Sequence, residues 1–208
     1  MRRTLHCDRL RRDGGTALEI ELDRECAYAI ICKRMTGMST PVDASALIYL
    51  AESGGLSAAS ACFGVLLIPP AVWNEVIVAG LQRGSTDVAG IRAALDAGLV
   101  RATSLDAPLR RRALKIASPF GLGAGESEVL ALGATHELVL LDEHRATRAS
   151  KALGVTAIET LLVPALCVQA GVLNAPAAVD LLHAIARHTT VRAEMVRRVE
   201  QLIGEASR

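Results

Sequence analysis

The chain has 208 residues and a formal net charge of +1. This length accommodates one domain with modest extensions, and the near-neutral charge excludes the strongly basic composition that is typical of dedicated nucleic-acid-binding domains. Apolar residues make up 51% of the chain but aromatic residues only 2%, which predicts a core of Ala, Leu, Val and Ile and suits helices packed on a parallel sheet.

The cysteines and the N-terminus bear on the compartment. Five cysteines are scattered along the chain without the paired spacing of a zinc site, and we interpret them as reduced thiols. The sequence has no apolar stretch long enough to cross a bilayer, and its basic start lacks the apolar segment of a secretory signal. We therefore expect a cytoplasmic protein that does not associate with a membrane.

Residues 1–38 differ in pattern from the rest of the chain. A polar, Gly-punctuated run precedes LEIEL, which alternates like a short strand, and Met35 and Met38 stand just before the first clear strand. Two interpretations stay open. Either the native chain starts at one of these methionines, or residues 1–38 are an appendage that pairs with the sheet edge or with a partner.

From Pro41 onward, predicted strands alternate with predicted helices. Strands are expected in PVD, ACFGVLLIPP, GLVRATSL, ELVLLDE and VTAIET, with helical segments between them and a helix that begins at Pro70. This alternation is typical of right-handed βαβ units and a parallel sheet. We predict a single α/β domain over residues 39–173, followed by a C-terminal helical extension over residues 174–208.

Four acidic residues lie where a predicted strand ends or a predicted helix begins, namely Asp43, Glu75, Glu126 and Asp142. In α/β folds, ligands bind at the carboxyl ends of the strands. Carboxylates that converge there repel one another unless a divalent cation such as Mg²⁺ or Mn²⁺ binds between them. Each acid also has a structural explanation, as a helix cap or as part of a solvated helix face.

Three neighbours of these acids are secondary candidates. Ser45 can hydrogen-bond the carboxylate of Asp43 or cap the following helix, and Glu143 directly follows Asp142. Glu128 lies two residues beyond Glu126, about 200° around a helix, so the two share one site only through an irregular first turn or a water. The Gly-rich run GLGAGE before them lacks the Lys–Ser/Thr ending of a P-loop, which argues against nucleotide binding there.

Taken together, the order and spacing of these segments resemble the PIN-domain nucleases, and in particular the VapC-type toxins. The resemblance rests on VDASALIYLAESG, IPPAVWNEV, GLGAGESEVLALG, LVLLDEHRATRASKALG and GVLNAPAAVDLL. It implies a PIN-like parallel β-sheet flanked by helices on both faces, in which Mg²⁺ or Mn²⁺ is bound for the hydrolysis of RNA phosphodiester bonds. The implied ligands and catalytic residues are Asp43, Glu75, Glu126 and Asp142, with Glu128 and Glu143 as further candidates and Ser45 in support.

One departure from the family pattern concerns the central acid, which is Glu126 rather than Asp. The repeated acid in GESE resembles the paired Glu of flap-type nucleases, which leaves the division of roles between Glu126 and Glu128 open.

The resemblance also implies partners. The substrate would be RNA, and toxin-type relatives commonly form homodimers and are held inactive by an antitoxin protein. Arg145 and Arg148 follow Asp142 closely and are candidates for contacts with RNA phosphates. A second basic group, which we interpret as a solvated face, consists of Arg110, Arg111, Arg112 and Lys115.

Two other functions compete with the ribonuclease. A phosphohydrolase of the haloacid dehalogenase type also uses acids at strand ends, but VDAS lacks the second Asp that such an enzyme needs near its first strand. The non-enzymatic alternative is a catalytically degenerate PIN-like module that binds RNA or a protein partner. The presence of all four acids argues against degeneracy.

Overall fold

The computed structural model describes residues 39–136 and 138–207, so the two interpretations of residues 1–38 lie outside the described residues. Within these ranges the sheet is built from short strands of three or four residues. They are β1 (Ser39–Pro41), β2 (Val65–Ile68), β3 (Val100–Ala102), β4 (Leu138–Leu140) and β5 (Thr156–Ile158).

The strands run parallel and form two groups that meet beside β1. β2 lies between β1 and β3, and β4 pairs with β5. A parallel bridge between Val42 and Leu140 joins the groups, and the Asp43 N–H donates to the Leu140 carbonyl at 3.1 Å. The strand order is therefore β3-β2-β1-β4-β5. β2 and β3 extend the sheet on one side of β1, whereas β4 and β5 extend it on the other. The boundary between β1 and β4 is therefore a topological switch point, which is where ligands bind in open α/β sheets.

Helices connect the strands and complete the predicted α/β architecture, which is confirmed. They are α1 (Ala44–Glu52), α2 (Leu56–Phe63), α3 (the consecutive segments Pro70–Trp73, Asn74–Val78 and Ala79–Arg83), α4 (Asp87–Asp96), α5 (Ala107–Phe120), α6 (Ala124–His136), α7 (His144–Leu153), α8 (Val163–Gln169), α9 (Ala175–His188) and α10 (Ala193–Ala206). The middle segment of α3 is a π-helical turn, and a 3-10 turn, Thr160–Leu162, precedes α8.

One predicted strand begins with a helix. ACFGVLLIPP was expected to be extended throughout, but its first three residues complete α2 and the strand begins only at Val65. Gly64 separates the two elements with φ of 78°, a conformation that glycine adopts without steric cost. The segment before Gly64 is helical because its buried side chains recur at helical spacing, with Ala and Ser residues preceding Cys62 and Phe63.

The two C-terminal helices pack into the same core as the sheet. Leu182 and Ile185 of α9, together with Val199 and Ile203 of α10, are buried in the cluster that also contains the strand residues. The boundary between residues 39–173 and the helical extension 174–208 stays a prediction. No helix in the described ranges combines the length and the apolar character that crossing a membrane requires.

Close packing between α6 and the sheet generates the first prediction. A methyl group at Gly133 would lie 2.6 Å from Val139 Cγ1 and 2.7 Å from Val155 Cγ1. We expect Gly133→Ala to lower the free energy of unfolding by about 1–3 kcal/mol, because the extra carbon forces helix and sheet apart. Urea denaturation measures the change.

Gly204 of α10 provides the matched control, since a methyl group there meets nothing within 4 Å. Gly204→Ala should raise the free energy of unfolding by about 0.5–1 kcal/mol through helix propensity alone. Equal effects of the two substitutions would contradict the tight packing of α6 on β4.

Candidate active site

Asp43 stands at the end of β1 and begins α1. Its side chain is buried, with 3% of the residue exposed, and Oδ1 accepts a hydrogen bond from the Ala46 N–H at 2.7 Å. Burial and the nearby charge of Asp142 raise the pKa of Asp43 to about 8, although backbone hydrogen bonds from Ala46 and Asp142 act in the opposite direction. Glu126 adds a smaller upward contribution to this pKa. The carboxylate therefore lies where its negative charge is poorly compensated.

Asp142 follows β4, on the neighbouring strand. Burial raises its pKa, while hydrogen bonds from Thr160 lower it. The Thr160 N–H donates to Oδ1 at 2.7 Å, and the Thr160 hydroxyl donates to Oδ2. Asp142 does not cap α7 as its position suggested, because Glu143 takes that role. The two aspartates are thus brought together at the switch point by β1 and β4.

Glu126 and Glu75 approach this pair from two helices. Glu126 lies in the first turn of α6, where its Oε2 accepts a hydrogen bond from the Gly123 N–H at 2.7 Å. Glu75 is exposed in the π-helical turn of α3, and its Oε2 lies 3.7 Å from the position that a Cβ of Gly125 would occupy. Glu75 therefore faces the start of α6.

A cleft of about 520 Å³ opens between these elements. It is polar and is lined by the acids, by the Gly-rich entry to α6 and by the start of α7. Its charged or hydroxyl-bearing lining residues are Asp43, Ser45, Glu75, Glu126, Glu143 and Arg145. Asp142 is not part of this lining; it acts on Asp43 from the adjacent strand end.

Glu128 does not join the other acids. Its Oε2 accepts a hydrogen bond from the Ala71 N–H at 2.8 Å, so it caps the start of α3 and joins that helix to α6. Glu128 is not among the residues that line the cleft, and the division of roles between Glu126 and Glu128 stays a prediction. Glu143 lines the cleft, but its Oε2 accepts hydrogen bonds from the Arg145 and Ala146 N–H groups at 2.6 and 2.9 Å.

A further carboxylate, Glu159, stands next to the site and was missed from the sequence. It is half-buried directly after β5. Burial and the charge of Asp142 raise its pKa, while His144 and Lys151 lower it. The rule that drew attention to Asp43 and Asp142, an acid immediately after an apolar strand, applies equally to VTAIET and would have found it.

The chemistry of the donor set fits Mg²⁺ or Mn²⁺, because every candidate ligand is a carboxylate oxygen. Burial raises the pKa values of both Asp43 and Asp142, so a divalent cation beside them would stabilise their ionised forms. Within residues 39–136 and 138–207, however, no three His, Cys, Asp or Glu side chains already form a group that could hold a metal ion. The hydrogen bond from the Gly123 N–H uses one lone pair of Glu126 Oε2, and the carboxylate has others available for a cation.

The buried charge of Asp43 generates the second prediction. Between pH 4 and pH 8 the folded protein retains a proton on Asp43 that the unfolded chain has lost, so the stability of the metal-free protein falls as the pH rises through this window. Asp43→Asn keeps an oxygen for the Ala46 N–H and removes the charge. We expect it to raise the free energy of unfolding in EDTA at pH 8 by about 2 kcal/mol or more, and by much less at pH 5.

Asp106 offers a control at an exposed helix start. Its Oδ1 accepts a hydrogen bond from the Leu109 N–H at 2.8 Å, so Asp106→Asn makes the same chemical change at a solvated cap. We expect a change within about 0.5 kcal/mol at both pH values. Urea denaturation of the three proteins decides the matter, and an Asp43→Asn variant that is destabilised equally at pH 5 and pH 8 would contradict the buried-charge account.

Comparison with known proteins adds a family to this geometry. A family model described as PIN domain matches residues 41–205, a range that includes Asp43, Glu75, Glu126 and Asp142. No curated protein and no solved structure matched the chain. PIN domains are generally nucleases and typically use divalent metals, which agrees with an acid-lined cleft at the switch point of a parallel sheet. On the extent of the match, the chain belongs to the PIN-domain family.

Proposed function

We propose that the protein is a divalent-metal-dependent ribonuclease that hydrolyses RNA phosphodiester bonds. The observation that carries this proposal is the pair of the buried Asp43 and the half-buried Asp142, each with a raised pKa, at the edge of an open polar cleft. Keeping two such carboxylates together costs stability without a cation, and perturbed groups of this kind cluster at functional sites.

The four acids have distinct parts in this proposal. Asp43 and Asp142 hold Mg²⁺ or Mn²⁺ from the strand ends, and Glu126 and Glu75 contribute from α6 and α3. When bound, such an ion supplies an activated water and neutralises charge on the phosphate and on the departing oxygen. Ser45 is exposed on the cleft lining and offers a hydroxyl for hydrogen bonding to the substrate.

Arginine side chains on α7 supply the positive charge that a polyanionic substrate needs. Arg145 is exposed and lines the cleft, and its Nη1 lies 4.0 Å from the position that a Cβ of Gly121 would occupy. Arg148 lies one turn further along the same helix and is also exposed. Because aromatic residues are scarce, we expect binding to depend on the phosphate backbone more than on base stacking.

Asp43, Glu75 and Glu126 line the cleft and Asp142 stands beside Asp43, which favours catalysis over the degenerate RNA- or protein-binding module. A toxin role, an antitoxin partner and a homodimer remain predictions of the resemblance to VapC-type toxins.

The central prediction concerns cleavage. Purified protein should cut a pool of structured RNA with Mn²⁺ and should be inactive in EDTA. Asp142→Asn and Asp43→Asn should each lower the rate at least about 100-fold, equivalent to about 2.7 kcal/mol of transition-state stabilisation, and Asp106→Asn should leave it unchanged. Gel analysis of the products measures the rates, with single-stranded DNA tested in parallel. Near-normal cutting by Asp43→Asn at saturating Mn²⁺ would refute the assignment.

A separate prediction concerns substrate binding. The double variant Arg145→Ala, Arg148→Ala should bind RNA more weakly. The slope of log affinity against log salt is negative and should become less steep by about 0.7 for each phosphate group that the variant no longer binds. Fluorescence anisotropy at several salt concentrations measures this slope. The control is Arg92→Ala, Arg101→Ala, since these arginines are exposed but do not line the cleft. An equal slope in both double variants would argue against phosphate binding by α7.

A further inference from the structure

Thr160 binds both oxygens of the Asp142 carboxylate. It is the first residue of the 3-10 turn after β5 and is fully buried. Its N–H donates to Asp142 Oδ1 at 2.7 Å, and its hydroxyl donates to Oδ2. A buried hydroxyl and a backbone N–H from one residue thus fix both ends of a carboxylate that lies 18 positions away in the chain.

The pairing of β4 with β5 sets this contact. Leu140 pairs with Ile158, and the Leu141 N–H donates to the Ile158 carbonyl at 3.0 Å. Asp142 and Thr160 each stand two residues beyond the last paired position, so the parallel register carries them to the same level at the strand ends. The contact between Asp142 and Thr160 is therefore set by the pairing of β4 with β5 and not by the conformation of a flexible loop.

Other acids near the cleft are ordered by different groups. Asp43 caps α1 through the Ala46 N–H, and Glu126 accepts from the Gly123 N–H. Glu143 caps α7, so the start of that helix leaves Asp142 unused. Thr160 is what orders Asp142, and a carboxylate with one hydrogen bond on each oxygen still has lone pairs available for a cation.

We propose that Thr160 is a positioning residue for cation binding, which holds the Asp142 carboxylate beside Asp43 in the orientation that the bound ion requires. This inference rests on the proposed function, because it assumes that Asp142 is a metal ligand. Partners that orient a ligand typically contribute 10- to 100-fold to metal affinity. A purely structural Thr160, which only starts the 3-10 turn, would affect folding stability but not ion binding.

The test compares ion binding by four proteins without RNA. Mn²⁺ affinity is measured by electron paramagnetic resonance for the wild type, Thr160→Val, Thr160→Ser and Thr40→Val. Thr40 is the matched control, because it is also fully buried and its hydroxyl donates to the Phe63 carbonyl at 2.7 Å, away from the acids. We expect Thr160→Val to weaken Mn²⁺ binding about 10- to 100-fold, and Thr160→Ser and Thr40→Val to change it less than about threefold.

The remaining outcomes separate the two proposals. Wild-type protein that binds Mn²⁺ and cuts RNA, with Thr160→Val binding as tightly, overturns this inference alone. A Thr160→Ser variant as weak as Thr160→Val also overturns it, because the hydroxyl is then not the cause. Wild-type protein that binds no Mn²⁺ overturns both proposals. Circular dichroism checks folding, and Thr160→Ala, which removes the hydroxyl with less bulk, replaces Thr160→Val if that variant does not fold.

Discussion

Asp43 and Asp142 lie next to each other at the ends of β1 and β4, where the backbone that follows β1 stops pairing with β2 and begins to pair with β4. The Val42 N–H donates to Leu67 in β2, and the next N–H, that of Asp43, donates to Leu140 in β4. The backbone is thus satisfied on both sides, while the two carboxylates emerge side by side above a core that excludes water. Burial raises both pKa values, and the charge of Asp142 raises that of Asp43 further. This cost is the constraint on which the rest of the site depends.

The surrounding hydrogen bonds give the acids different structural partners. Glu128 and Glu143 satisfy the N–H groups that open α3 and α7, groups that every helix start leaves without an intrahelical partner. Because Glu143 caps α7, Asp142 is available to accept hydrogen bonds from Thr160. Glu75 lies in the π-helical turn of α3. π turns are frequent at functional sites, where they change the direction of a side chain. Neighbouring acids in the sequence therefore differ in role: Glu128 caps a helix, whereas Glu126 lines the cleft.

The architecture was predictable from the sequence, and so were the positions of three acids at strand ends and at a helix start, because both depend on local pattern. An apolar strand followed by an acid gives Asp43 and Asp142, and a Gly-rich helix start followed by an acid gives Glu126. The role of Glu128 was not predictable, since it depends on how α6 packs against α3. The partnership of Asp142 with Thr160 was equally out of reach, because the register of β4 and β5 decides it. Local periodicity shows that strands exist but not which residues meet across them.

In the mechanism proposed for this protein, a costly pair of carboxylates is tolerated because a divalent cation binds between them. The most direct test is diffraction from crystals soaked in Mn²⁺, recorded at a wavelength where manganese scatters anomalously. We expect an anomalous peak bonded to oxygens of both Asp43 and Asp142. A map at saturating Mn²⁺ without a peak there, with the two carboxylates unchanged, would contradict this mechanism.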